Sequence, residues 1–161
     1  MNRSLLLIAG SIGAALVTAA CGSNPYGGGG TATGTSSGYP SAATVTVASS
    51  KVGKILVDGS GRTLYLFEAD SGTTSNCYDS CAQVWPVLTT SGQPVAGAGV
   101  NASLLGTTQR KDGSLEVVYN GHPLYYFSGD KQPGDITGQD LNSFGAPWYV
   151  LSPNGDKVDA G

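Results

Sequence analysis

One stretch of this chain occurs twice, 60 residues apart, and the repetition limits the folds open to it. Ile55-Leu56-Val57 runs through Asp58-Gly59-Ser60-Gly61 into Thr63-Leu64-Tyr65-Leu66-Phe67. Leu115-Glu116-Val117-Val118-Tyr119 runs through Asn120-Gly121 into Pro123-Leu124-Tyr125-Tyr126-Phe127. With Gly61 set on Gly121, Leu64 meets Leu124, Tyr65 meets Tyr125, Phe67 meets Phe127 and Asp70 meets Asp130. Upstream, Gly53 and Ile55 meet Gly113 and Leu115; downstream, Trp85-Pro86-Val87-Leu88 answers Trp148-Tyr149-Val150-Leu151 after a shift of three. Such self-similarity marks a duplicated supersecondary unit. Each copy reads as strand, hairpin, loop excursion and strand, the first hairpin closing on a four-residue loop.

A lone hairpin is marginal in water, but two copies can cover each other's apolar faces. The expected fold is therefore mostly β. It is a small sandwich or barrel with pseudo-two-fold symmetry, built from repeats at residues 44–90 and 104–152 of a domain spanning 44–161. One short helical turn is expected, at the cysteine pair. On the strands, Tyr65 and Phe67 point to one face and Leu64 and Leu66 to the other.

The N-terminal end has a different character. Arg3 precedes an apolar run from Leu5 to Val17, which closes on Thr18-Ala19-Ala20. That is the pattern of a secretory signal over residues 1–20, and it is shorter than the roughly 20 apolar residues of a spanning helix. Val17-Thr18-Ala19-Ala20-Cys21 resembles the bacterial lipobox, with Thr18 where Leu is common. Lipid on Cys21 leaves Cys77 and Cys81 as a pair out of three cysteines, the arrangement an exported chain favours. The two acyl chains and N-terminal acyl group of a lipobox cysteine exceed what stable anchoring requires. Gly22 to about Ala43, including Gly27-Gly28-Gly29-Gly30, reads as a flexible tether with a span of roughly 25 Å. Without Arg3, the 8 basic side chains become 7 against 11 acidic ones. That acidic balance argues against nucleic acid and against electrostatic binding to anionic lipid.

The duplicated segments resemble a family of bacterial lipoproteins that carry a tandem secreted repeat marked by Tyr-x4-Asp. The resemblance rests on Tyr65 to Asp70 and Tyr125 to Asp130. Gly61-Arg62-Thr63-Leu64, Cys77-Tyr78-Asp79-Ser80-Cys81-Ala82 before Trp85-Pro86, Asn120-Gly121-His122-Pro123-Leu124 and Gly129 to Asp135 add to it. Val87 departs from the second proline common in the family. The resemblance implies a secreted, lipid-anchored repeat module and brings no activity with it.

Each motif admits two readings. Asp70 and Asp130 follow strand ends, where a carboxylate fixes a turn through backbone amides; brought together by the two-fold, they would instead form a ligand or acid–base site with Tyr65 and Tyr125. Cys77 and Cys81, one helical turn apart, are within disulfide reach; the other reading is a redox dithiol, although the spacing is not Cys-x-x-Cys. His122, matched by Arg62, reads as a solvent-facing turn residue. Asp130, Asp135 and Asp140 lie in a Gly-rich loop whose spacing does not fit a calcium-binding EF-hand. Tyr119, Tyr126, Trp148 and Tyr149 form either an exposed contact strip or a second apolar layer. No nucleophile–base constellation is evident. The expectation is a non-enzymatic binding or envelope-structural module on the extracytoplasmic side of an inner membrane, an outer membrane or the cell surface. Its membrane contact is the lipid, its partner an envelope protein or small ligand, and it needs no cofactor or metal. The alternatives are metal or cofactor binding at Asp70 and Asp130, and redox chemistry at Cys77 and Cys81.

Overall fold

Period-two alternation of large apolar side chains gives the domain two buried layers on opposite faces of its strands. The computed structural model describes residues 41–159; the signal segment, Cys21 and most of the tether lie outside the described residues. The strands are β1 (Thr44–Ser50), β2 (Gly53–Asp58), β3 (Tyr65–Phe67), β4 (Val95–Ala96), β5 (Leu105–Gln109), β6 (Leu115–Tyr119), β7 (His122–Pro123), β8 (Leu141–Ser143) and β9 (Ala146–Val150). A single α-helical turn, α1 (Ser80–Val84), breaks the series. The strands form three three-stranded sheets, ordered β2-β1-β4, β3-β9-β8 and β5-β6-β7. The arrangement is sandwich-like, with no closed barrel among the described residues. One layer holds Ile55, Tyr65, Phe67, Trp85, Tyr125 and Trp148, the other Leu56, Leu64, Leu66, Leu88, Leu124 and Leu151.

The repeats do more than cover each other, because each lends its last strand to the other. β9 of the second repeat pairs antiparallel with β3 of the first, Tyr65 opposite Val150 and Phe67 opposite Trp148. Reciprocally, residues 86–89 of the first repeat lie along the second. Tyr126 N–H donates to Pro86 O at 2.7 Å, Leu88 N–H to Leu124 O at 2.9 Å, and Val117 N–H to Leu88 O at 2.9 Å. Tyr65 and Tyr125 meet on the axis between the copies, each N–H donating to the other's carbonyl at 2.8 and 3.0 Å.

Turn chemistry sets the register, and here the two repeats differ. In the first hairpin Asp58 N–H bonds Arg62 O and Val57 bridges Thr63, leaving three loop residues with Gly61 at φ 87° rather than the expected four. In the second, Tyr119 pairs with His122 across Asn120 and Gly121 alone, at φ 49° and 83°, the signature of a type I′ turn. The shorter turn slips the upstream strand by one residue. Val117, not Glu116, occupies the place of Leu56: Leu64 N–H donates to Leu56 O and Leu124 N–H to Val117 O. Glu116 therefore falls where the first repeat has Ile55, on the aromatic face.

Candidate functional site

At the centre of the aromatic layer four rings follow in the order Phe127, Trp85, Trp148, Phe67, the last three stacked and Phe127 tilted by 34° on Trp85. Centroids are 4.5, 3.9 and 4.0 Å apart, and the axis between the repeats passes between the two indoles. Tyr65 meets Trp85 edge-on and Tyr125 meets Trp148 edge-on. Both indole N–H groups donate to Ser143, Trp85 to its Oγ and Trp148 to its carbonyl. Gly138 touches this layer so closely that a Cβ would lie 2.9 Å from Trp85 and 3.0 Å from Tyr65.

The motif residues are joined across the repeats, not within them. Tyr65 Oη donates to Asp130 Oδ2 at 2.7 Å, and Tyr125 Oη to Asp70 Oδ2 at 2.8 Å. Each carboxylate turns its other oxygen on its own loop. Asp70 Oδ1 accepts Asn76 N–H at 2.7 Å; Asp130 Oδ1 accepts Thr137 N–H at 2.9 Å and Thr137 Oγ1 at 2.6 Å. Each Asp thus fixes a turn through a backbone amide, one of the two readings open in the sequence, and with its other oxygen takes a tyrosine hydroxyl of the other repeat, which makes two crossed Tyr–Asp locks. Burial and the facing carboxylates push both tyrosine hydroxyls well above the usual phenol range.

One lock has a buried continuation that sequence reasoning missed. Tyr125 Oη also lies 2.7 Å from Ser75 Oγ, which accepts Arg110 Nη1 at 2.7 Å; Arg110 then bonds Glu116 Oε2 at 2.7 Å and Cys77 O at 2.8 Å. Glu116 is wholly buried and Arg110 is 6% exposed. Glu116 Oε1 and Arg110 Nε are buried without a partner among the described residues. Burial raises the Glu116 carboxyl to about 7 against the pull of Arg110, and raises Asp70 to about 6. The signal for this pair lay in the turn lengths, which place a carboxylate at an isoleucine's position.

Cys77 and Cys81 form a disulfide with Cα atoms 5.2 Å apart, both buried. The helix begins at Ser80, so the bond spans its entry turn, where Asp79 takes φ 50°, and does not run along one helical turn. His122 is half-buried on β7 instead of facing solvent, and burial holds its imidazole below the usual range. Asp135 Oδ2 accepts the N–H groups of Lys131 and Gln132, which is turn chemistry. Among the described residues no group of three or more His, Cys, Asp and Glu side chains could hold a metal ion. These aromatics form no surface strip and are shared between the two layers: Trp148 is buried in the aromatic layer, Tyr119 and Tyr149 are buried in the leucine layer, and Tyr126 packs against the latter.

Two clefts flank the locks, and they correspond under the repeat. One, of 220 Å³, joins Arg62 to Tyr126, Phe127, Asp130 and Lys131. The other, of 460 Å³, joins His122 to Leu66, Phe67, Asp70 and Asp156. Each takes its Phe-x-x-Asp wall from one repeat and its hairpin residue, Arg62 or His122, from the other.

Residues 46–89 and 106–152 match the sequence model of a family described as a secreted repeat of unknown function. The chain belongs to this family. No curated protein and no solved structure matches it. The secreted repeat is thus an extracytoplasmic module, and no helix among the described residues is long and apolar enough to cross a membrane.

Proposed function

We propose that this secreted repeat is a lipid-anchored, non-enzymatic binding module of the cell envelope, held to a membrane through Cys21. The crossed locks carry the reading. The Tyr and Asp that define the motif hydrogen-bond one another between repeats, so the motif supports architecture, and the clefts on either side are the surfaces left for a partner or small ligand. The lipobox-like end at Cys21 and the Gly-rich tether support anchoring with reach. The buried setting of Cys77 and Cys81 supports a structural disulfide over an exchanging one.

Intact-mass measurement on protein extracted from its host's membranes tests the anchor. A chain that begins at Cys21 and carries a diacylglyceryl group is the expected result. A mature N-terminus elsewhere, or an unmodified Cys21, would overturn it.

A further inference from the structure

We infer that the cleft at Arg62 is a binding site for the carboxylate of a small ligand whose remaining atoms lie against Tyr126 and Phe127. The assignment rests on the binding-module reading and adds the ligand's chemistry. The Arg62 guanidinium stacks over the Tyr126 ring, 4.0 Å from its centroid. That ring is held from behind by its hydroxyl, which donates to Asp58 Oδ2 at 2.9 Å. The remaining oxygen of Asp58 accepts Ser60 N–H, Ser60 Oγ and Arg62 N–H, so this carboxylate is spent on the hairpin loop. Asp130, the acid in the cleft wall, is spent on Tyr65 and Thr137. Arg62 takes no part in either salt bridge of the described residues, which join Arg110 to Glu116 and Lys157 to Glu68. Lys131 lines the same cleft and bonds a backbone carbonyl, that of Ser128.

The related cleft gives the contrast. It carries Glu68, Asp70 and Asp156, and its lysine, Lys157, is already bonded to Glu68 at 2.7 Å. On an acidic protein, the duplication has thus left one cleft cationic and its counterpart anionic. A stacked guanidinium presents a planar fork that matches a carboxylate in two parallel hydrogen bonds. Typical ligand pockets run from about 300 to 1,000 Å³, so 220 Å³ suits one residue-sized group, a single sugar acid or amino-acid unit.

The chain has three arginines, Arg3, Arg62 and Arg110. Removal of the signal leaves Arg62 with buried Arg110 as an internal control. Glucuronate, glucose and inorganic phosphate, titrated at constant ionic strength into the lipidated protein in micelles, are followed through the arginine Nε–H signals. Glucuronate is expected to shift Arg62 saturably, half-way at about 1 mM, with Arg110 unmoved and glucose silent. Arg62→Gln should abolish the response in the backbone signals of Tyr126 and Lys131, and His122→Ala should keep it. An unsaturable shift, a response surviving Arg62→Gln, or tighter binding of phosphate than of glucuronate would each overturn the assignment. The lipid mass at Cys21 is measured separately, so failure here removes the ligand and leaves the anchored module standing.

Discussion

The two Tyr–Asp locks are built from the same motif, yet they rest on different supports. Behind Tyr65–Asp130 stand uncharged groups of one loop: Thr137 N–H and Oγ1 on the carboxylate and Gly138 N–H on Tyr65 Oη at 3.2 Å. Behind Tyr125–Asp70 stands a chain of side chains, Ser75, Arg110 and Glu116, ending in a buried ion pair. Duplication preserved the contact and changed what supports it. The lock with uncharged support depends on Thr137, Gly138 and the shape of their loop. The other depends on charge, and a buried charge is costly once its partner is gone.

The largest difference should appear when that charge is exposed. Glu116→Ala leaves the Arg110 guanidinium buried beside Ser75 and Cys77, and should cost about 3–5 kcal/mol in urea unfolding. Replacing both, with Arg110→Met and Glu116→Leu, should cost less than the single change, because no unpaired charge remains. A double variant as unstable as the single would show that the pair contributes more than mutual neutralisation.

Removing the disulfide sharpens the same contrast. On the chain-entropy model, closing so short a loop stabilises by about 2 kcal/mol. Cys77 O also receives Arg110 Nη2, so a Cys77→Ser and Cys81→Ser variant should weaken the Tyr125–Asp70 lock ahead of the other. Hydrogen exchange at Asn76 N–H, which donates to Asp70, should then rise well above exchange at Thr137 N–H, which donates to Asp130. Equal exchange at the two amides would separate the disulfide from the lock.

The hydroxyls themselves come next. Tyr125→Phe and Tyr65→Phe each remove a bond to a carboxylate, about 1.5–3 kcal/mol by thermal unfolding. Tyr125→Phe should be the more costly, since its hydroxyl also faces Ser75 at 2.7 Å and its loss opens the chain that reaches Arg110.

Much of this was readable from the residues. The duplication, the opposite facing of Tyr65 and Leu66, the helical turn near the cysteines and the Asn120-Gly121 turn all follow from local rules that tertiary packing left intact. The crossed locks were not readable, because hydrogen bonds spanning 65 and 55 residues depend on strand exchange between the copies. Glu116 was misplaced for a smaller reason. Alignment on a fixed period set Leu115 on Ile55, whereas the one-residue difference in turn length brings Glu116 there and demands Arg110 as its partner. The same comparison treated Arg62 and His122 as equivalent surface positions; the clefts they line differ in charge.

Acid should distinguish the charged support last and most gently. Asp70, raised to about 6 from 3.8, and Glu116, raised to about 7 from 4.5, hold protons in the folded state that the unfolded chain has already released. Where the folded state binds more protons, stability falls as pH rises. Their contribution is fully present below about pH 4 and is lost as pH climbs through about 6 and 7. Asp58, held low by its loop hydrogen bonds against burial, acts in the opposite sense, its contribution fading only in stronger acid. His122, held low by burial, also opposes them, since the unfolded imidazole takes its proton near 6.5 before the folded one does. With two raised carboxyls against one lowered imidazole, the protein should melt higher at pH 5 than at pH 8. Asp70→Asn should flatten that slope, removing its own part and the smaller share of the Glu116 shift that its charge supplies, and the Arg110→Met, Glu116→Leu variant should remove the Glu116 part. A slope untouched by either change would place the titrating groups elsewhere and leave the two locks alike in their response to pH.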